Sequence, residues 1–391
     1  MISLTKLLSK KNNENSFGDN LRYTQDAARA TYGASDAVGP VVVWNCTRTC
    51  NLSCMHCYSE SGSRPYKYEL TFEQACELID DLARFRCPVL IFSGGEPLLR
   101  PDLLGLAKRA IGNGIRATLS TNGTLIDLAT AKALNEIGIG YVGISLDGLE
   151  DTNDRFRGKR GSFQTALDGI RNCVAARQRV GLRFTINRHN YTEIDGIFDL
   201  AEHENIDRVC FYHLVYSGRG SSMTKQDIEP RQTREVMDII IRRTLLLEEK
   251  GIKKEVLTVD NHADGAYLYL KTKNEHILNM LRQNGGNRSG IALACVDNDG
   301  NVHADQFTRQ YAFGNVKDRP FSEIWERAEH PVLAGLRNRK PLLTGRCASC
   351  RFLDVCNGNF RARADAVTGD FWGQDPACYL TDSEIGAENL V

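Results

Sequence analysis

Apolar residues in this chain fall into short, nearly unbroken runs, separated by longer stretches in which apolar and polar positions recur with a helical period. The first run, VVVWNCT (41–47), directly follows Pro40; VLIFSG (89–94), RATLST (116–121), YVGISL (141–146), VGLRFTIN (180–187) and VCFYHLV (209–215) come after it. Runs of this length, rich in β-branched and aromatic residues, read as strands buried on both faces. Between and after them the 3.6-residue period predicts helices near 71–86, 102–113, 127–137, 163–178, 192–204 and 231–249.

Six β/α units in succession predict a parallel sheet. The expected fold class is α/β, a partial (β/α)6 TIM-like barrel (41–250) followed by a smaller cysteine-rich domain (291–391). Functional groups in such sheets gather at the carboxyl edge, where this chain places NCTRTC, SGGEP, STNG, SLDG, TINR and HLVYSGRG. Residues 1–40 are polar and weakly periodic, so a loosely packed lead-in with one short helix is expected. Past residue 250 the repeat is lost, and 251–290 reads as a connecting segment with possible substrate contacts, ending in RQNGGNRSG. In the second domain, ACVDNDGNVHADQ predicts a hairpin at its Asn-Asp-Gly turn, and a short helix is expected near 321–328.

Charge removes some partners from consideration. Lysine plus arginine equals aspartate plus glutamate at 49 each, which leaves no bulk field for nucleic acid or an anionic membrane. No stretch approaches the roughly 18 uninterrupted apolar residues of a membrane span, and no secretory signal is evident, so the cytoplasm is the expected compartment. Thirteen cysteines in such a chain point to metal or redox chemistry rather than a disulfide framework.

Cys50, Cys54 and Cys57 form C-x3-C-x2-C just after the first strand. Three soft thiolates on one loop suit iron–sulfur or zinc; zinc would recruit Cys46 or His56 as a fourth ligand, whereas a three-cysteine cluster leaves one iron open to a non-protein ligand. Cys46 also reads as strand packing. Cys347, Cys350, Cys356 and Cys378 (C-x2-C-x5-C-x21-C) can close a second site, and their spacing admits either zinc or iron–sulfur. Cys76, Cys87, Cys173 and Cys210 lie in predicted helices or strands and are expected in the core.

The C-x3-C-x-[aromatic or His]-C pattern, with His56 at the ring position, resembles the signature of the radical S-adenosylmethionine superfamily, and SGGEP is similar to that family's GGEP stretch. The resemblance implies a [4Fe–4S] cluster on Cys50, Cys54 and Cys57, with S-adenosylmethionine chelating the open iron and yielding a 5′-deoxyadenosyl radical on reduction. It further implies cofactor contacts at Gly94, Gly95 and Glu96, at Ser120 and Asn122, and at Ser145, Asp147 and Arg157. The second spacing resembles the outer auxiliary [4Fe–4S] site of SPASM-type extensions. Phe360 stands where an inner-cluster cysteine would be, so one auxiliary cluster is expected, with Cys295 an unpaired thiol or a substitute ligand.

Taken together, PVVVWN, PVLIFSGGEPLLRPDL, STNGTLI, YVGISLDG, HLVYSGRG and VDNHADG resemble the tetrapyrrole-modifying branch of that superfamily, from about Pro40 to Cys378. Within the branch, VDNHADG is more similar to the deacetylating members than to those that remove or oxidise propionates. The implied reaction removes acetate side chains from 12,18-didecarboxysiroheme to give iron-coproporphyrin III, with electrons from a donor such as a ferredoxin or flavodoxin. Arg219, Asp260 and His262 are the candidate substrate residues. Arg219 could pair with carboxylates, and His262 could ligate a haem-like iron or move protons; an ordinary turn or capping cluster is the plain alternative. Propionate removal from the same tetrapyrrole, modification of a ribosomal peptide, and a non-catalytic metal scaffold are the competing readings.

Overall fold

A computed structural model describes residues 1–9, 19–23 and 39–387. One ten-stranded sheet organises the chain, in the order β1-β8-β7-β6-β5-β4-β3-β2-β9-β10. Strands β2 (Val41–Thr47), β3 (Val89–Gly94), β4 (Arg116–Thr121), β5 (Val142–Ser145), β6 (Val180–Ile186) and β7 (Arg208–His213) are the six expected from the sequence. All are parallel to their neighbours and stand in chain order, as successive β/α crossovers require. The helices between them, Phe72–Arg84, Leu103–Gly112, Leu128–Glu136, Ser162–Ala175 and Ile194–His203, bury one apolar face each against the sheet.

The parallel repeat runs further than its apolar pattern suggests. After the helix Pro230–Glu249 the chain adds β8 (Glu255–Val259), parallel to β7, and then the helix Ala263–Thr272. EVLTV is short and begins with a glutamate, so it lacks the apolar-run signal; yet all five residues are buried. VDNHADG consequently sits at the carboxyl end of a seventh parallel strand.

The first residues also differ from expectation. Ile2–Ser3 form β1, antiparallel to β8, and Leu4–Leu8 form a short helix, with Ile2, Leu4 and Leu7 buried in the main core. They are docked, not loosely packed, because the free edge of β8 offers unpaired backbone groups that β1 satisfies. The rest of the lead-in, 10–18 and 24–38, lies outside the described residues.

At the other edge, β9 (Leu293–Val296) pairs parallel with β2 and turns back as β10 (Val302–His303) through the expected Asn-Asp-Gly hairpin. The short helix of the second domain spans Phe321–Arg327. Its Phe321, Ile324 and Trp325 belong to the same core cluster as the barrel strands. Among the described residues no helix is long and apolar enough to cross a membrane.

Candidate active site

Cys46 and the three-cysteine loop part company at a β-bulge. The β2–β3 register shifts between Asn45 and Thr47, which turns Cys46 into the core, where burial pushes its thiol up to about 12. Cys50, Cys54 and Cys57 follow on a loop that neighbouring loops hold by its backbone. Gly95 and Glu96 donate N–H bonds to the Thr47 and Thr49 carbonyls (2.7 and 2.8 Å), and Ser53 and Met55 donate to Arg157 and Phe156 carbonyls. Gly94, at φ +134°, is needed for this approach, since a Cβ there would lie 2.2 Å from the Thr47 carbonyl oxygen.

Arg219 completes the clamp. Its Nε donates to the Cys54 carbonyl and its Nη1 to the Ser61 carbonyl, both at 2.8 Å. The candidate substrate arginine thus spends two donors on the cysteine loop; its Nη2 is buried without a partner.

Each of the three sulfurs faces a donor. Leu52 N–H lies 3.4 Å from Cys50 Sγ, Arg157 Nη1 3.6 Å from Cys54 Sγ, and Ser61 N–H 3.4 Å from Cys57 Sγ. Burial raises the Cys50 thiol to about 12 and raises Cys54 as well. At Cys57 burial also pushes upward, but the Ser59 hydroxyl and Ser61 N–H outweigh it and lower the thiol. Donors aimed at sulfur stabilise the thiolates that a cluster requires, so this donor set fits a [4Fe–4S] group held by Cys50, Cys54 and Cys57. Among the described residues no three His, Cys, Asp or Glu side chains converge as a single ion would require; cluster thiolates bind separate irons and need not do so.

A cavity of about 130 Å³ opens beside the sulfurs, lined by the three cysteines together with Gly94, Gly95, Ser120, Asn122, Ser145 and Arg157. Two candidate cofactor residues stand behind this lining. Glu96 is fully buried and accepts from Thr121 Oγ1 (2.7 Å), Asn122 N–H (2.8 Å) and Leu98 N–H (3.1 Å). Asp147 pairs with Arg157, accepts from Thr185 N–H at 2.6 Å and lies 3.5 Å from His56 Nε2. Both therefore position loops that reach the cavity. His56 stacks on Phe156 at 4.6 Å between centroids, and burial lowers it to about 4, leaving a neutral ring at pH 7.

Below the cofactor cavity the barrel lumen holds a second space of about 290 Å³, reaching down to Val41, Val89, Arg116 and Arg208 at the amino ends of the strands. Tyr58, Ser93, Arg183, Tyr212, Asp260 and Gln306 line both spaces and form their common wall. Among the described residues, the lumen is lined by five arginines (Arg22, Arg116, Arg183, Arg208 and Arg288) and one carboxylate, Asp260. Arg22 and Arg208 are paired with Glu255.

Asp260 and His262 are placed here by the end of β8. Asp260 adopts φ +67°, and burial raises its carboxyl to about 6, with Arg363 the main opposing influence. His262 lines the lumen only, its Nε2 3.2 Å from the Met1 amino group, and burial drives it well below its ordinary range.

The four C-terminal cysteines surround a small, mainly apolar cavity of about 30 Å³ that Asn359 and Asp375 also line. That fits the auxiliary [4Fe–4S] site implied by their spacing. Its loops reach the end of β8 and the wall between the two cavities through buried polar contacts. Arg363, ion-paired with Asp375 at 2.8 Å, donates to the Asp260 carbonyl (2.6 Å) and the Leu214 carbonyl (3.2 Å). Asn359 accepts from His262 N–H at 2.7 Å and donates to Asn261. Cys295 is buried in β9, 3.6 Å from Asn45 Nδ2, away from the four-cysteine cavity. Phe360 instead lines the lumen. Cys87 and Cys173 are core residues and Cys76 packs against the core; Cys210 is buried in a small apolar cluster with Leu257 and Val259 and also lines the lumen.

Arg183, Tyr212, Gln306 and Arg363 were not singled out from the sequence. For Arg183 a signal exists: a lone arginine inside an apolar run, VGLRFTIN, must point into something polar.

Comparison with known proteins agrees with this geometry. Residues 44–201 match the Radical SAM superfamily, and 289–351 match the SPASM iron-sulfur cluster-binding domain. The chain is 53% identical to the Fe-coproporphyrin III synthase of Methanosarcina barkeri over 94% of its own length and 95% of the relative's. It is 45% identical to the pre-heme d1 synthase of Dinoroseobacter shibae, over 89% and 88% of the two chains. In fold it is similar to Streptococcus suis SuiB bound to S-adenosylmethionine, with a TM-score of 0.71 at 17% identity, covering 88% of this chain and 78% of that one. A three-cysteine loop beside a polar cavity, a four-cysteine site and these relatives together mean that the chain belongs to the radical SAM superfamily, in its SPASM-bearing, tetrapyrrole-modifying branch.

Proposed function

We propose that this enzyme removes the acetate side chains of 12,18-didecarboxysiroheme to give iron-coproporphyrin III. The observation that carries the reading is the common wall between the cysteine-lined cavity and an arginine-bearing lumen. A ligand with several carboxylates can lodge in that lumen and present one side chain to the cofactor space. The near full-length similarity to an Fe-coproporphyrin III synthase supports this substrate over others.

With S-adenosylmethionine bound at the cluster, the pair supplies a radical able to take hydrogen from an unactivated carbon. The chain's own residues do the rest. Arg219 and the GGEP backbone hold the cysteine loop, Asp147 aims Arg157 into the cofactor cavity, and the lumen arginines offset the charge of the substrate carboxylates. The wall residues keep water out of the space between the two ligands. Electrons come from a low-potential donor such as a ferredoxin or flavodoxin, and the cytoplasm is the compartment in which such donors and the free thiols coexist.

The pre-heme d1 synthase relative supports a second reading, loss of propionates from the same tetrapyrrole. Anaerobic turnover with 12,18-didecarboxysiroheme, siroheme and iron-coproporphyrin III, each offered alone, separates them by product mass. Loss of two acetate arms from the first substrate is the expected outcome; loss of propionates selects the alternative. No spectral change with any of the three, from a protein that still cleaves S-adenosylmethionine, rejects both.

A further inference from the structure

Arg183 projects from the middle of β6 into the wall shared by the two cavities, and it is half-buried there. Its Nη1 donates to Ser120 Oγ at 2.6 Å, and its guanidinium lies 4.9 Å from the centroid of the Tyr212 ring. Among the described residues no carboxylate stands within ion-pair distance of it. Three other arginines of the site differ, Arg157 having Asp147, Arg208 Glu255 and Arg363 Asp375, while Arg219 is spent on two backbone carbonyls of the cysteine loop. Asp260 shares the wall and senses Arg183 only at longer range. Gln306, on the same wall, leaves its buried Oε1 without a hydrogen-bond partner.

A guanidinium kept in a protein wall without a counter-charge is costly, and an anion that reaches it there replaces what water cannot provide. Its planar fork also suits a carboxylate better than any other common side chain does. The position selects which carboxylate. A group bound in the lumen proper lies away from the cofactor space, whereas a group bound at the wall lies at the boundary where the reacting carbon must be.

We propose that Arg183 binds the carboxylate of the acetate arm that is to be removed, so that it discriminates a carboxymethyl group on the tetrapyrrole rim from a bare methyl. This inference rests on the proposed function. The methionine carboxylate of S-adenosylmethionine has the same chemistry and could reach the same wall, so the test must separate the two sources.

The anaerobic holoenzyme and its Arg183→Gln and Arg183→Lys variants are titrated by visible absorption with two iron tetrapyrroles: 12,18-didecarboxysiroheme, and iron-coproporphyrin III, which has propionates but no acetates. Substrate-free formation of 5′-deoxyadenosine is followed as a function of S-adenosylmethionine concentration. Arg183→Gln is expected to weaken didecarboxysiroheme binding by roughly 30-fold or more, with iron-coproporphyrin III changed less than about threefold and the KM for S-adenosylmethionine unchanged. Arg183→Lys should fall between, and it carries the test if the glutamine variant loses its clusters. Equal weakening of both tetrapyrroles, or no weakening of either, overturns the inference. A raised KM for S-adenosylmethionine with tetrapyrrole binding intact assigns the arginine to the cofactor instead. Wild-type enzyme that binds neither tetrapyrrole brings down the proposed function and the inference with it.

Discussion

The two cysteine sites are built on opposite plans. The three-cysteine loop lies against a cavity of about 130 Å³ with serine, asparagine and arginine in its walls; the four-cysteine site encloses about 30 Å³ with an almost wholly apolar lining. In the first, Asn122 and Arg157 point side-chain donors at Cys50 and Cys54, and Ser59 points one at Cys57. In the second the donors are backbone groups: Phe352 N–H lies 3.4 Å from Cys350 Sγ, and Leu380 N–H faces Cys378. A site that must accept a polar ligand keeps space for it, whereas a site complete in protein ligands needs none: the second cavity is the smaller, though Asn359, Asp375, Arg346 and Gln374 still line it. Ligand count alone foretells the difference, because a fourth cysteine leaves a cluster nothing further to bind.

The sharpest way to break that comparison is to exchange the losses. Cys50→Ala, Cys54→Ala or Cys57→Ala should each reduce 5′-deoxyadenosine formation to background, with iron falling from about eight to about four per chain. Cys356→Ala should also leave about four irons, yet retain S-adenosylmethionine cleavage without substrate. If the second variant loses cleavage as completely as the first three, the open and closed sites are not separable in function.

The buried link between them gives the next effect. Arg363 and Asp375 are each 0% exposed, and removing one partner strands the other charge. Arg363→Met should cost about 3–5 kcal/mol in anaerobic chemical denaturation, against less than half of that for the exposed pair Arg231–Glu235.

Cys46 offers a smaller test of ligand choice. With Cys46 packed at the bulge, Cys46→Ala should lower stability by about 1 kcal/mol and leave the iron content at about eight; a loss of four irons would show that the first site uses it after all.

The smallest effect concerns pH. Burial raises Asp260 to about 6, so its carboxyl is neutral in the fold below that pH and charged above it. The stability it contributes is full below the ordinary carboxylate range and is lost as pH rises through about 6. A carboxylate-rich tetrapyrrole should therefore bind a few-fold more weakly at pH 7 than at pH 5, as a charged Asp260 repels it. Asp260→Asn should flatten that difference. The opposite slope in the wild type would mean that Asp260 does not govern the lumen, since the Arg363 and Arg183 charges do not titrate here and the Met1 amino group, lowered by burial to about 6, loses its charge in the same direction.

Much of this architecture was legible because strands buried on both faces leave unbroken apolar runs; β2, β3 and β4 begin and end where those runs do. The cysteine loop was legible as a thiol cluster from residue type and spacing, which left zinc and iron–sulfur open; the resemblance to the superfamily chose between them and gave the GGEP turn its meaning. β8 escaped because Glu255 occupies its first position to bind Arg208 and Arg22, a tertiary demand that interrupts the apolar signal. β1 escaped because two residues cannot show a period. Arg219 was marked for its charge, but nothing local reveals that the Cys54 and Ser61 carbonyls lie within its reach. Arg183 carried a signal, a cation in a run of apolar and small residues, but the run still reads as an ordinary strand and nothing local says which cavity the cation meets.

The pairing of β9 with β2 reaches beyond edge protection. The strand that delivers the three-cysteine loop is hydrogen-bonded at Val41, Val42, Val43 and Trp44 to the strand that opens the auxiliary domain. The strand before the three-cysteine loop and the strand that opens the auxiliary domain are therefore parts of a single sheet, with no hinge at that seam. Parting the barrel from the auxiliary domain at that seam would mean breaking a parallel strand pair in the middle of the sheet, which substrate entry and product exit do not require.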